Sequence, residues 1–331
     1  MNQIDFLAIG DIVTDAFIEL EDATVNCNID TNACTISMKW GDKIPYKDVN
    51  IVKAVGNSPN AVVSASRLGL TTALVTHVGD DNFGKECIEY LNQEKINTSL
   101  ITTEKGKKTN YHYVLSYQAE RTILVKHEEF SYHFDMTIPT PRWIYLSSLA
   151  ENSLPYHMEI AEYLEQNPET KLAFQPGTFQ MKLGYSILEK LYKKTDLFFC
   201  NKEEAQRILE TDETSIEKLL IEMHARGPKI AVITDGPKGA YAYDGNNGWF
   251  MPMYPDPKPP VERTGAGDAF SSTFTVAIAL GKSIPEALTW GPINSMNVVQ
   301  HIGAQAGLLS REVLEKYLTE KPEHYLVKKI I

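Results

Sequence analysis

A glycine-rich turn that ends in a carboxylate is the part of the sequence best suited to chemistry. In residues 261–270, Gly265 and Gly267 precede Asp268, and a run of small residues begins a predicted helix at Ala269. Glycine lets the backbone turn tightly and come close to a ligand. The free N–H groups and the positive dipole end of a helix favour an anion. The turn is therefore predicted to bind phosphate.

Asp268 stands at the mouth of this predicted anion site. A second negative charge would not help to hold a phosphate, because the two groups repel each other. Its presence indicates instead a base that takes the proton from a hydroxyl as that hydroxyl attacks the phosphate. The alternative is a helix N-cap, a role that aspartate fills well, and the turn alone does not separate the two interpretations.

Short apolar runs alternate with helical patterns along the chain, which predicts a parallel sheet with helices on both faces. These elements would position the glycine-rich turn. The predicted strands are 6–9, 73–78, 143–146, 171–174, 197–199 and 229–233. The predicted helices are 59–68, 85–94, 156–166, 185–192, 216–225 and a last helical region, 268–317. Ligands of such sheets bind outside the carboxyl ends of the strands.

Two segments, residues 16–55 and 109–127, depart from the alternation of strands and helices, since they are β-rich and contain no crossover helix. Two runs of the second segment, 111–117 and 121–125, are separated by a predicted turn at 118–120. We expect the two segments to form a small β lid inserted in a single domain of residues 1–331. A cover over the ligand crevice is one interpretation, and a structural extension of the sheet edge is the other.

Polar residues at other predicted strand ends add candidate ligand-binding groups. Asn201 and Glu204 fit a helix capping box, but their oxygens would also suit the water shell of Mg²⁺ beside nucleotide phosphates. The turn at 234–241 suits the close approach of a nucleotide, or is an ordinary hairpin turn. Residues 10–15 and 56–60 carry carboxylate and amide groups suited to the hydroxyls of a polyol.

Composition favours small-molecule chemistry. The chain has 331 residues, of which 43% are hydrophobic, so it can bury a large core. Its net charge is −11, from 32 basic and 43 acidic residues. This balance argues against a protein that binds nucleic acid or an anionic membrane through clustered lysine and arginine.

The cysteines and the N-terminus favour a cytoplasmic protein. Cys27, Cys34, Cys87 and Cys200 form no CxxC pair and have no histidine at zinc-ligand spacing, so we expect reduced thiols. The first residues include no basic region before their short apolar run, and no later stretch approaches the length of a membrane span.

Taken in order, these motifs resemble those of the PfkB carbohydrate kinase family, also called ribokinase-like. The resemblance covers nearly the whole chain and rests on two signatures, residues 55–69 with 78–84 and residues 263–270, together with Asn201 and Glu204. It implies a three-layer α/β/α fold with a mostly parallel sheet and a β lid. It also implies ATP as donor, Mg²⁺ as cofactor and a sugar or nucleoside alcohol as acceptor.

The resemblance also implies roles for individual residues. Asp268 matches the catalytic base, and Gly265, Ala266 and Gly267 match the anion hole. The expected substrate-binding residues are Asp15, Gly56 and Asn60, their neighbours Asp11 and Asn57, and the lid residue Arg121. The expected nucleotide-binding residues are Asn201, Thr234, Gly236, Gly239, Thr264, Gly265, Gly267, Asn294 and Asn297. Glu204 and Asn201 would hold Mg²⁺, mainly through water.

Three residues depart from the family pattern. Val55 replaces the first glycine of a Gly-Gly pair, Arg263 replaces a threonine, and Glu262 replaces an aspartate that contributes a monovalent-cation ligand in some members. Glu262 is therefore a candidate potassium ligand, and potassium activation is left open.

We expect an ATP-dependent sugar kinase of the ribokinase, fructokinase or ketodeoxygluconate kinase type, with a nucleoside kinase as the alternative. A non-enzymatic metabolite sensor is a weaker alternative, because Asp268 and both glycines of its turn are intact. Apolar side chains in the 16–55 segment, such as Met38 and Trp40, suit either an acceptor pocket or a dimer face. We expect a homodimer that forms through the lid.

Overall fold

The computed structural model describes residues 3–28, 33–117 and 120–331. Its strands are β1 (Phe6–Ile9), β2 (Val13–Leu20), β3 (Thr24–Asn28), β4 (Ala33–Ser37), β5 (Tyr46–Val55), β6 (Thr72–Gly79), β7 (Ile101–Glu104), β8 (Asn110–Tyr117), β9 (Glu120–Leu124), β10 (Trp143–Leu146), β11 (Lys171–Phe174), β12 (Thr195–Asn201), β13 (Ile230–Thr234), β14 (Ala240–Tyr243), β15 (Gly248–Met251) and β16 (Lys328–Lys329). Its helices are α1 (Asn57–Arg67), α2 (Asn82–Gln93), α3 (Leu154–Gln166), α4 (Thr178–Leu183), α5 (Tyr185–Lys194), α6 (Lys202–Leu209), α7 (Ile216–Ala225), α8 (Ala266–Ala279), α9 (Ile284–Val298) and α10 (Arg311–Thr319).

The main sheet has ten strands in the order β16-β15-β14-β13-β12-β11-β10-β1-β6-β7. The strands from β7 to β13 in this order run parallel, and β14, β15 and β16 complete one edge in antiparallel fashion. Every predicted strand is therefore confirmed within a residue or two at each end. The prediction missed β7 and the antiparallel edge, because those strands are short and lack a continuous apolar run.

Helices cover both faces of this sheet. Alternate residues of β1 point to opposite faces, so Phe6 and Ala8 join one buried cluster while Leu7 and Ile9 join another. The first cluster is closed by apolar side chains of α1, α2, α8, α9 and α10, and the second by those of α3, α5, α6 and α7. The expected three-layer α/β/α arrangement is confirmed.

A second, small sheet has four strands in the order β5-β2-β8-β9. It is formed by the two segments predicted to be β-rich, with β2 pairing antiparallel to β5 and parallel to β8. Two residues of the predicted turn at 118–120 lie outside the described residues. That these segments are an insertion in a single domain stays a prediction.

The cysteine prediction is wrong in one respect. Cys27 and Cys34 form a disulfide within the hairpin of β3 and β4, where they lie directly opposite each other. Spacing rules based on CxxC motifs do not detect such a pair, because the hairpin that brings the two residues together was not predicted. Cys87 and Cys200 are buried free thiols, and burial raises the pKa of both.

None of the described helices is both long and apolar enough to cross a membrane.

Candidate active site

A cleft of about 710 Å³ lies between the small sheet and the carboxyl ends of β11, β12 and β13. It adjoins a smaller, mostly apolar cavity of about 210 Å³ beside α8 and α9. The predicted site residues that line the cleft are Asp15, Gly56, Asn57, Asn60, Arg121, Asn201, Glu204, Thr234, Gly236, Thr264, Gly265, Gly267 and Asp268. The fold therefore brings together predicted residues from six separate stretches of the sequence.

The glycine-rich turn begins α8 at the floor of this cleft. Gly265 is the N-cap, with a φ of +79° that a side chain would disfavour, and Ala266 is the first helical residue. Asp268 is consequently inside the first helical turn, and it is not the N-cap that the sequence left as an alternative. Gly265, Gly267 and Asp268 line the cleft, so the N-terminal end of α8 lies at the cleft, as expected for an anion site.

Three amide side chains hold the carboxylate of Asp268. Asn57 Nδ2 donates to Oδ1 at 2.7 Å, Asn60 Nδ2 donates to Oδ2 at 2.8 Å, and Gln175 Nε2 donates to Oδ1 at 3.1 Å. Asn57 and Asn60 thus contact the candidate base, and because both also line the cleft, their predicted role in binding substrate stays a prediction. Gln175, at the end of β11, was not predicted in this role.

Further contacts fix two of these amides. Gln305 Nε2 donates to Asn60 Oδ1 at 2.9 Å, and Gln175 Oε1 accepts a short hydrogen bond from the hydroxyl of Tyr145. Each amide is thus bonded on both sides, which sets the orientation of its N–H₂ group toward Asp268. The carboxylate is pre-positioned by side chains whose own rotamers are held in place.

Burial raises the pKa of Asp268 above its ordinary value, and the hydrogen bonds from Asn60, Asn57 and Gln175 oppose this change. A buried carboxylate with a raised pKa is a better proton acceptor than an exposed one. The environment of Asp268 therefore suits a general base.

Asn201 and Glu204 form the predicted capping box at the start of α6. Asn201 Oδ1 accepts from the Glu204 N–H at 2.8 Å, and Glu204 Oε2 accepts from the Asn201 N–H at 2.8 Å. Burial raises the pKa of Glu204, and the negative charge of Asp268 adds to the effect. Two carboxylates that face one cleft in this way create a negative region suited to a hydrated cation.

The smaller cavity continues the cleft between the turn after β13 and helix α9. Thr234, Gly236 and Gly239 line one side of it, and the binding of a nucleotide by this turn stays a prediction. The opposite side is apolar and includes Tyr254, Met296 and Val299. A flat apolar ring system would fit such walls.

Asn294 and Asn297 do not reach this cavity, although both were predicted to bind nucleotide. Asn294 is fully buried and donates to Thr273 Oγ1 at 2.7 Å, which ties α9 to α8. Asn297 Nδ2 donates to the carbonyl of Gly307 at 2.6 Å. The residues of α9 that line the cavity are Pro292, Ser295 and Met296, on another face of the helix.

At the other end of the cleft, Asp15 and Gly56 lie at the wall, and their role in binding substrate stays a prediction. Asp11 lies behind this wall, where its Oδ1 accepts a hydrogen bond from the hydroxyl of Tyr132 at 2.6 Å. His112, on β8, also lines the cleft beside Asp15. Asp11 is thus in a supporting position, while Asp15 and His112 face the space that a ligand would occupy.

Glu262 is held by hydrogen-bond donors. The Gly303 N–H donates to its Oε2 at 3.1 Å, and the Thr264 N–H donates to its Oε1 at 2.8 Å. The guanidinium of Arg121, on β9, lies 3.2 Å from the same Oε1. Arg121 therefore connects the small sheet to the turn before α8, although it was predicted to bind substrate.

A ribokinase-like α/β/α fold, with an anion-binding helix start and a buried carboxylate in one cleft, defines a class of phosphotransferases. Residues 27–311 match the protein family described as "pfkB family carbohydrate kinase". The chain belongs to this family, and it is a sugar kinase that transfers a phosphoryl group to an alcohol.

Individual relatives agree with this assignment. A 5-dehydro-2-deoxygluconokinase of Clostridium botulinum is 26% identical over 324 residues, which cover 90% of this chain and 92% of the relative. The structure of Arabidopsis thaliana ribokinase complexed with ribose and ATP has a TM-score of 0.80 at 20% identity, covering 96% of this chain and 99% of that one. A nucleoside kinase of Methanocaldococcus jannaschii has a TM-score of 0.76 at 18% identity, covering 97% and 100%. The two structures share the fold.

Proposed function

We propose that this protein is an ATP-dependent kinase that transfers the γ-phosphate to a primary alcohol of a small sugar, of the ribokinase, fructokinase or ketodeoxygluconate kinase type. The observation that carries the proposal is Asp268, a buried carboxylate held by three amides beside the open N–H groups of α8. In this scheme Asp268 takes the hydroxyl proton as the oxygen attacks. The N–H groups of residues 265–268 stabilise charge on the transferred group.

The adjoining cavity supports a nucleotide as donor. Its apolar walls suit the base, and the turn that carries Gly236 and Gly239 lies between the base cavity and the cleft. The phosphates would then extend toward Gly267 and Asp268. Closure of the small sheet over the cleft would exclude water, which limits hydrolysis of the donor.

The residues at the cleft edge fit Mg²⁺. Glu204 and Asn201 supply oxygen atoms of the kind that this ion prefers, and each already accepts a backbone hydrogen bond, which suits binding through water. When bound there, Mg²⁺ would offset the negative charge of the β- and γ-phosphates.

Potassium fits less well at the position expected for it. The carboxylate of Glu262 accepts backbone N–H bonds on both oxygens and faces a guanidinium, so its charge is already compensated. A monovalent cation beside it would also meet the positive charge of Arg121. We derive no role for potassium from this residue and expect turnover to be independent of it.

The proposed function is tested by coupled ADP release with Mg·ATP against fructose, ribose, 2-keto-3-deoxygluconate, adenosine, inosine and cytidine. We expect turnover on at least one free sugar, with the same rate in potassium and in choline salts. Turnover on a nucleoside alone would replace the sugar by the nucleoside alternative. Absence of ADP release with every acceptor would favour a metabolite sensor.

Acid should inactivate the enzyme at a higher pH than the ordinary aspartate pKa of about 3.9 would imply. The reason is that Asp268 must be ionised to accept a proton, and burial raises its pKa. The measurement is kcat/KM for the acceptor as the pH is lowered from 8 toward 4. Burial also raises the pKa of Glu204, so Glu204→Gln is the control. Its kcat/KM should be lower than that of the wild type, but the acid limb, which is the fall of kcat/KM at low pH, should persist. Loss of the limb in that variant would contradict the assignment to Asp268.

We also propose a homodimer through the outer face of the small sheet. Ile51, Ala16, Tyr113 and Leu124 form one row across its four strands, opposite the face that carries Asp15 and His112. Ile51, Tyr113 and Leu124 are about half exposed, at 52%, 48% and 51%. The same face of a second copy would bury this row in a two-fold symmetric contact. Light scattering should give twice the mass of the chain, and a monomer at micromolar concentration would contradict the proposal.

A cytoplasmic location also stays a prediction.

A further inference from the structure

The acceptor end of the cleft contains two histidine–aspartate pairs. Asp15 of β2 and His112 of β8 are in register on neighbouring strands, so their side chains share the face that points into the cleft. Asp15 Oδ1 and His112 Nδ1 are 3.4 Å apart, and each side chain is 13% exposed. The second pair, Asp11 Oδ2 and His127 Nδ1, is 3.5 Å apart and lies behind the first.

The first pair has unused hydrogen-bonding capacity. No described residue lies in hydrogen-bonding geometry with Asp15 Oδ1 or with His112 Nε2, although both atoms are buried. The same is true of Asp11 Oδ2 and His127 Nδ1, but only Asp15 and His112 line the cleft. A buried polar atom without a partner destabilises the protein, so such atoms in a ligand cleft indicate where a ligand binds. Among the described residues no group of three or more His, Cys, Asp or Glu side chains is arranged to hold a metal ion. A ligand hydroxyl would supply the missing hydrogen-bond partner of both atoms.

The second pair holds the first in place. The ring of His127 meets that of His112 edge-on, with 5.4 Å between centroids, and its other side packs against Phe179. Behind it, the Tyr132 hydroxyl donates to Asp11 at 2.6 Å. The ring of His127 therefore packs on the ring of His112 from behind and limits its movement, which favours one direction of Nε2 before a ligand arrives.

We propose that His112 is a specificity residue: beside Asp15, for which the family resemblance already implies substrate binding, it completes a site for two adjacent hydroxyl groups of the acceptor. This inference rests on the proposed kinase function. An ionised carboxylate only accepts hydrogen bonds, whereas an imidazole nitrogen donates or accepts according to its protonation. A hydroxyl can do both, so neighbouring hydroxyls satisfy the pair. A carboxylate of the acceptor at this position would be repelled by Asp15.

The test compares acceptors that differ by one hydroxyl, so that only one member of each pair has the adjacent hydroxyls: ribose with 2-deoxyribose, and adenosine with 2′-deoxyadenosine. For each pair, kcat/KM is measured by ADP release, and Kd is measured by calorimetry in the presence of Mg·ADP. The variants are His112→Ala, His112→Gln and His133→Ala. His133 is the matched control, because its side chain is 78% exposed and pairs with Glu159 outside the cleft.

We expect the wild-type protein to prefer the member with adjacent hydroxyls in at least one pair. His112→Ala should reduce that preference by roughly 10- to 100-fold, the cost of leaving a buried hydroxyl without its hydrogen-bond partner. His112→Gln should restore part of it, since a Gln Nε2 donor can reach a similar position. KM for ATP should be unchanged in all three variants, and His133→Ala should behave as wild type.

Each other outcome is decisive. If wild type transfers phosphate but His112→Ala keeps its full preference, the specificity role is wrong and the kinase proposal stands. If wild type binds the paired hydroxyls selectively through His112 without transferring phosphate, the kinase proposal is wrong and the recognition role stands. If neither transfer nor selective binding is found with any pair, both are wrong.

Discussion

Replacing Asp268 by asparagine should lower kcat by roughly two to four orders of magnitude, the usual contribution of a general base. The amide has nearly the same shape as the carboxylate but cannot accept the proton of the attacking hydroxyl. Asn57, Asn60 and Gln175 would still surround the side chain. The KM values for ATP and for the acceptor should therefore stay close to those of the wild type.

The experiment is steady-state kinetics on the best acceptor from the panel. Asp135→Asn is the control, because Asp135 is an exposed residue whose carboxylate binds only Thr137 among the described contacts. That variant should have wild-type turnover. Unchanged kcat in Asp268→Asn would remove Asp268 from the mechanism.

Gly265→Ala should reduce both stability and turnover. The φ of Gly265 is +79°, and a left-handed conformation costs a residue with a Cβ about 1–2 kcal/mol. A Cβ would also lie 2.3 Å from the Cβ of Ala304, so the turn would have to move. Since this turn sets the N–H groups that face the cleft, a displacement of about 1 Å should reduce kcat by roughly 100-fold.

Gly267→Ala provides the contrast. A Cβ at Gly267 has as its nearest recorded neighbour Gln175 Nε2, at 4.0 Å, so the fold has room for it. It would project into the cleft, where a ligand must approach the backbone. We expect Gly267→Ala to raise KM for ATP with little change in Tm. Thermal unfolding and kinetics of both variants test this, and a Gly265→Ala protein with wild-type Tm would contradict the account of the turn.

Much of the fold follows from local patterns. The parallel strands have continuous apolar runs because both of their faces are buried, and such runs are visible in the sequence. The capping box at Asn201 and Glu204 is equally local, since its partners are three residues apart. Features of this kind can be predicted because sequence neighbours are also spatial neighbours.

The support of the candidate base could not be predicted in the same way. Asn57 and Asn60 lie 211 and 208 residues from Asp268, and only the packing of α1 against α8 brings them together. The prediction that Asn294 lines the nucleotide cavity failed for a related reason. Helix α9 is buried on most of its surface, so the pattern of apolar residues does not show which face lines the cavity.

The central claim is transfer of phosphate to a primary alcohol, and ³¹P NMR of the product tests it most directly. The sample is the protein with Mg·ATP and its best acceptor. We predict a phosphomonoester signal split into a triplet by the two protons of a CH₂–O–P group, and no such signal with Asp268→Asn over the same time. A doublet would place the phosphate on a secondary alcohol. Signals of ADP and inorganic phosphate without a phosphomonoester signal would mean that water, and not a sugar, is the acceptor, and either result would contradict the account.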